Sequence, residues 1–403
     1  MKGIRKPWRS ARAAAIMTGV LFAAALAAYT QVTAPPSKQM KPKVLVKGSP
    51  LHGANGLMFD NQDRLYVASV GGNEIVVMDP KNGKILDRIG LDRGVYSPDD
   101  LAFGPDGSLY WASILEGQVG RLAPDGSVTT QPVAAGTNPI TVSRDGRIFV
   151  GLCFLGDGLF EIDPALQHPP KALTKTAGML NGFDFGPDGL LYAPVYFEGK
   201  VVRMNVNATT VAYETVGTGF EVPSALKFDS RGYLHGLSQL SGEVWSLDPA
   251  SGRKTVLAHL PPGIDNLAFD SRGRLYVSHA NDGSIFEVLL GAPRRVSGGG
   301  MIAPGGVAVM PGVQGGESVF VADIWTVREF NGLTGRAGST QDSSFAVPEG
   351  IAPPSTVSAD GGNLVISSWF GNTVQVWNPE TRQVVENHPA PNVPLNEIGR
   401  AHV

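Results

Sequence analysis

Six copies of one motif that align without a gap, Asp-Gly or Asp-x-x-Gly turns inside most of them, and no 3.6-residue apolar period together predict an all-β chain. Its expected form is a ring of repeated four-stranded blades, a β-propeller. The copies read NGLMFDNQDRLYVAS from Asn55, DDLAFGPDGSLYWAS from Asp99, NPITVSRDGRIFVG from Asn138, NGFDFGPDGLLYAP from Asn181, SALKFDSRGYLHGL from Ser224 and DNLAFDSRGRLYVS from Asp265. Two degenerate copies follow, opening at Gly305 and Glu349, and successive copies start 39 to 44 residues apart.

Each copy supplies one blade in order. An apolar strand ends at the turn, where Asp-Gly provides the positive φ of a tight reversal. A second strand such as Leu65–Ser69 and a third such as Glu74–Met78 follow, and a fourth such as Lys84–Ile89 or Lys254–Leu260 leads to the next copy. Such a blade cannot bury both faces alone and must stack on neighbours. Eight copies predict eight blades, with seven or six as alternatives because the last two are degenerate. An open sheet edge invites association, so the segment from Lys43 to Gly48 is expected to close the ring beside Thr373–Pro379.

The 403 residues, 42% hydrophobic and 17% charged, give ample core for a single domain over 43–403. A net charge of -3 with no basic cluster beyond the N-terminus argues against a nucleic-acid partner. Cys153 is the single cysteine, so neither an intramolecular disulfide nor a thiolate zinc site is expected, and it reads as a buried strand residue. Lys2, Arg5, Lys6, Arg9 and Arg12 precede an apolar run from Ala13 to Ala28. Residues 1–35 therefore read as a signal peptide or uncleaved N-terminal anchor, and 36–42 as a linker. Either places the body in the periplasm or outside the cell, with membrane contact only through that segment.

In a propeller the innermost strands line the central channel, so the residues opening the copies should ring its mouth. They are Asn55, Asp99, Asn138, Asn181, Ser224, Asp265, Gly305 and Glu349. Asn and Asp at a strand start are also turn-formers, but turn chemistry alone accepts Ser, Gly and Thr equally. Carboxylates and carboxamides are the oxygen donors of Ca2+ or another divalent cation, whereas zinc or copper would want imidazole or thiolate. Loops between second and third strands emerge on the same face and bring Glu116, Phe154, Tyr196, Phe197, Trp325, Trp369 and Phe370 around that mouth as walls for a ring-containing or apolar ligand. No nucleophile-elbow motif occurs. His52 and His279, both near the mouth, are the candidate bases.

The six clean copies resemble the superfamily of senescence-marker-protein/gluconolactonase, paraoxonase and strictosidine-synthase-like propellers, more distantly NHL repeats. That resemblance implies a calcium or similar ion on the axis and hydrolysis of lactones or other esters. It implies ligand roles for Asn181 before Gly182, for Asp265 with Asn266, for Asn138, and for Asp99 or Asp100; Glu349-Gly350 resembles a Glu-Gly that supplies a metal carboxylate. Members usually have six blades, and a wider ring would hold those ligands apart. The expected function is an exported calcium-dependent hydrolase acting on a small molecule, with two alternatives: a non-enzymatic propeller binding a protein, peptide or glycan on its top face, or a lyase or other metal-assisted reaction at the same site.

Overall fold

The computed structural model describes residues 43–289, 292–312, 316–343 and 349–390. The expected signal or anchor and linker over 1–42 lie outside them. Among the described residues no helix is long and apolar enough to cross a membrane.

The eight copies are eight four-stranded antiparallel sheets, each with its strands in chain order. Blades 1 to 8 span 57–89, 98–132, 137–174, 184–218, 223–259, 264–297, 304–342 and 356–389. Middle strands such as Glu74–Met78 and Leu109–Ser113 are buried at every position because both faces are covered. In Glu74–Met78, Ile75 and Val77 pack toward Trp111 and Leu101 of blade 2, while Val76 and Met78 pack toward Tyr276 and Ile285 of blade 6. Successive strand residues point to opposite faces, so one strand serves two interfaces.

That pairing of blade 1 with both blade 2 and blade 6 divides the eight blades into six and two. Inner strands touch in succession from blade 1 to blade 6, and Leu57–Phe59 of blade 1 then meets Ile264–Phe269 of blade 6. The ring closes there, with six members, the smallest of the counts that the repeats left open. Ser278 Oγ donates to the Asn55 carbonyl at 2.6 Å, Ser271 donates through N and Oγ to the Asp63 carboxylate at 2.9 and 2.7 Å, and Arg294 donates to the Lys81 and Pro80 carbonyls, both at 2.9 Å. Phe59 and Tyr276 meet across the same seam in a tilted contact, with centroids 5.0 Å apart.

Blades 7 and 8 pack on one another through Phe320, Val327, Ile351, Ile366 and Trp377. Asp323, which is fully buried, holds the segment entering blade 7, accepting from the backbone N–H of Ile302 and Ala303 at 2.9 and 2.7 Å and from Arg328 Nε at 2.6 Å. Arg328 also donates to the Asn281 carbonyl at 2.5 Å, and Asn281 Nδ2 donates to Asp342 at 3.0 Å.

The segment from Lys43 to Gly48 is not a closing strand. It forms no strand at all, and Thr373–Asn378 is flanked on both sides by strands of its own blade. Because blade 1 and blade 6 each own four strands, closure needs face packing and no shared blade. The chain instead runs beside the segment leading into blade 7, with Ser49 N–H donating to the Met301 carbonyl at 2.7 Å.

Two blades use one packing device. Trp111 lies over its cross-strand partner Gly120, and Trp245 over Gly236, so that a β-carbon on Gly120 would sit 2.0 Å from the Trp111 ring and one on Gly236 2.2 Å from the Trp245 ring. Both indoles are fully buried. Gly120→Ala should therefore destabilise the protein by about 1–3 kcal/mol, the usual cost of overpacking, read as a lower urea midpoint; an unchanged midpoint would show that the indole can move aside.

Candidate functional site

The six inner strands bring their opening residues to one end of the channel, where a cavity of about 390 Å³ opens. Asn55, Asp99, Asn138 and Asp265, from blades 1, 2, 3 and 6, form its polar floor. Ile114, Leu115, Phe154, Leu155, Tyr196 and Phe197, from the loops between second and third strands, supply one wall. Ile324, Trp325, Pro353 and Phe370 of blades 7 and 8 close over it. Phe154, Tyr196 and Phe197 form an edge-to-face cluster with centroids 4.9–6.0 Å apart.

The electrostatics of the floor are unusual. Burial, the charge of Asp265 and then that of Asp100 push the Asp99 carboxyl well above the ordinary aspartate range. Burial likewise raises Asp265, with Asp100 adding to it, against a hydrogen bond from Asn55 Nδ2 at 3.2 Å and the more distant pull of His279. Among the described residues no Lys or Arg lines the cavity, and neither the Asp99 carboxylate nor the Asn138 carboxamide has a hydrogen bond to protein. Two like charges are thus held close without a cation, an arrangement that favours one shared proton or a bound divalent ion.

The donor set tests which ion fits. Among the described residues no three His, Cys, Asp or Glu converge on one point. The floor offers two carboxylates completed by the carboxamides of Asn55 and Asn138, hard oxygen donors that suit calcium, without the imidazole or thiolate that zinc prefers.

A second polar layer lies beneath. Asp100 accepts from the Ile140 and Leu101 N–H groups and from Asn266 Nδ2 at 3.0 Å, and Asp184 accepts from Phe228 and Phe185 N–H. Burial raises both carboxyls, while the Lys227 ammonium nearby pulls them down. Asn266 belongs to this layer, with its Oδ1 accepting from Leu267 N–H, and is not on the floor. Asn181 is also withdrawn: its Oδ1 accepts from Gly182 N–H at 2.9 Å, the local turn role that Asn plays at strand starts.

The remaining expected residues divide. Tyr196, Phe197 and Trp325 line the cavity as anticipated, with Phe154 and Phe370 beside them. Glu116 instead accepts from Ser97 Oγ, and Trp369 points outward, 46% exposed. Glu349 is exposed in a turn ahead of blade 8, away from the floor because its blade lies outside the ring. His52 is exposed and contributes its backbone carbonyl, which accepts from Ser69 Oγ. His279 is buried with both ring nitrogens committed: Nε2–H donates to the Pro262 carbonyl at 2.7 Å and Nδ1 accepts from Asp282 N–H at 3.2 Å. Neither histidine reaches the cavity, so the proton-accepting groups there are the two aspartates. Tyr196 stays protonated, its hydroxyl pushed far up by burial and by Cys153 and Asp265 nearby, and donates to Gln239 Oε1. Cys153 is buried, and its thiol is raised by that burial.

Gln239 and Ile324 are wall residues that the repeat reasoning passed over, although each sits in the turn after a second strand, as does Asn73, which that reasoning places at the mouth. Asn73, Phe154 and Ile324 adopt positive φ, 51°, 63° and 39°. For the β-branched Ile324 this costs about 1–2 kcal/mol, strain of the kind that accumulates where a surface is shaped for a ligand.

No family model matches this sequence, and no curated protein does. Among solved structures, a streptogramin B lyase superposes with a TM-score of 0.50 at 15% identity, covering 70% of this chain and 93% of its own. A putative gluconolactonase superposes with a TM-score of 0.50 at 16% identity, covering 62% of this chain and 91% of its own. Both likenesses are of fold alone, a β-propeller, and about a third of this chain lies outside each superposition.

The raised carboxyls fix the sign of a pH effect. Between the ordinary aspartate range and neutrality the folded state binds more protons than the unfolded chain, so metal-free stability falls as pH rises. In chelator, the melting temperature should rise as pH is lowered from about 8 toward 5. Asp265→Asn, whose carboxamide still accepts from Asn55, should flatten that slope and stabilise the metal-free protein at pH 8 by on the order of 1 kcal/mol. An equally steep slope in the variant would place the shared proton elsewhere.

Proposed function

We propose that the protein is an exported hydrolase of lactones or related esters, with calcium or another divalent cation held by Asp99, Asp265, Asn55 and Asn138. One observation carries this reading: two half-buried carboxylates with no cation beside them, flanked by carboxamides at the floor of an aromatic-walled cavity. When bound, such an ion supplies Lewis acidity toward a substrate carbonyl and toward water. The chain's own residues do the rest. Asn55 orients Asp265 through its amide hydrogen bond. Asp99, with its raised carboxyl and no protein hydrogen bond, is the group best poised to take a proton from an attacking water and return it to the leaving oxygen. The aromatic wall excludes bulk water and orients the apolar part of the substrate.

A peptide or glycan partner would need a broad open face, and blades 7 and 8 partly cover that end of the ring, which favours a small molecule. Export is supported by the basic start and apolar run that end at Ala28.

Purified protein should carry near-stoichiometric calcium by mass spectrometry and melt at a lower temperature in chelator, since a ligand of the folded state alone must stabilise it. Asp99→Asn and Asp265→Asn should each abolish that stabilisation and cut lactone or aryl-ester hydrolysis by roughly a hundredfold or more. Absence of bound metal together with no chelator effect would remove the ion from the mechanism; failure to hydrolyse any lactone or ester in a broad panel would remove the hydrolase.

A further inference from the structure

The floor belongs to the ring, but the roof does not. Ile324, Trp325, Pro353 and Phe370 come from blades 7 and 8, which are not members of the six-blade circle. The indole of Trp325 and the ring of Phe370 lie 5.4 Å apart at 31°, forming a broad apolar face above the carboxylates. The backbone of Trp325 is pinned at both ends. Its carbonyl accepts from Ser343 N–H and Oγ at 2.9 and 2.8 Å, and its backbone N–H donates to the carbonyl of Asp323, whose buried side chain holds the segment entering blade 7.

Each polar side chain of the wall already has one of its two groups engaged. Asn73 Oδ1 accepts from Ser97 N–H at 2.9 Å, Gln239 Oε1 accepts from Tyr196, and Asn281 Nδ2 donates to Asp342. Away from the polar floor, a substrate carrying several hydroxyls would exchange water for aromatic and aliphatic carbon, which is costly for every hydroxyl left without a partner. A substrate with an apolar ring would gain by the same burial.

We infer that blades 7 and 8 set the specificity of the site, and that Trp325 and Phe370 seat an apolar, ring-bearing substituent on a lactone or ester in preference to a polyhydroxylated sugar lactone. The inference rests on the hydrolase reading for its reactive group, but the seat itself is a property of binding and is tested separately.

The full protein would be assayed on γ-phenyl-γ-butyrolactone and on glucono-δ-lactone, and titrated calorimetrically with the γ-phenyl lactam, which resists hydrolysis. The phenyl lactone should be preferred by at least about tenfold in kcat/KM, and the lactam should bind. Trp325→Ala and Phe370→Ala should each raise KM and the lactam Kd by about tenfold while changing kcat little, and Trp325→Phe should restore most of the loss. Phe370→Leu, with circular dichroism on every variant, covers the case in which an alanine variant fails to fold. Preference for the sugar lactone, or an unchanged lactam Kd in folded Trp325 and Phe370 variants, would overturn the inference. Lactam binding that depends on Trp325 without hydrolysis of either lactone would uphold the seat and defeat the hydrolase reading.

Discussion

A four-stranded blade that is apolar on both faces needs a neighbour on each side, and in a closed ring the last must find the first. Here that contact joins blade 6 to blade 1, where Leu57, Val67, Val76 and Met78 meet Ala268, Tyr276 and Ile285. The same seam sets Asn55 against Asp265, residues 210 positions apart, within hydrogen-bond distance. Closure and site are one event: until blade 6 docks, the floor lacks one of its two carboxylates.

Number matters as much as closure. Ligands drawn from separate blades converge only if the channel is narrow, and six blades bring Asn55, Asp99, Asn138 and Asp265 onto one small cavity floor. The two extra sheets, which could have widened the ring, stack on each other instead and stand over its mouth. Their inner-strand starts, Gly305 and Glu349, carry no share of the floor, and their loops become a roof.

The floor also illustrates a conflict between stability and function. Two half-buried carboxylates whose proton affinities are both raised cost folding free energy, which the single hydrogen bond from Asn55 to Asp265 offsets only in part. Proteins tolerate such pairs where chemistry or an ion makes use of them. By contrast Asp100 and Asp184, one layer below, are wrapped in backbone N–H donors and face Lys227, the pattern of a structural plug for the channel.

Much of this was legible in the repeat. The alignment alone yielded the four-stranded blades, the count of eight sheets, and a column from which four floor residues come, because blade geometry repeats with the sequence period and strand starts face the axis. The aromatic loops were legible for the same reason, and Tyr196, Phe197 and Trp325 line the cavity. What the sequence could not decide was anything that depends on which sheet packs on which. The division into six and two is set by face complementarity between blades 1 and 6, which no local pattern encodes. Asn181, Asn266 and Glu349 occupy the right column or its neighbour yet leave the floor, through a local turn, a lower layer and a blade outside the ring. His52 and His279 are close in sequence to cavity residues, but one side chain faces solvent and the other is locked between Pro262 and Asp282. Sequence determined what each blade is made of; only the tertiary structure decided which blades form the circle, because closure is a property of surfaces brought together from distant parts of the chain.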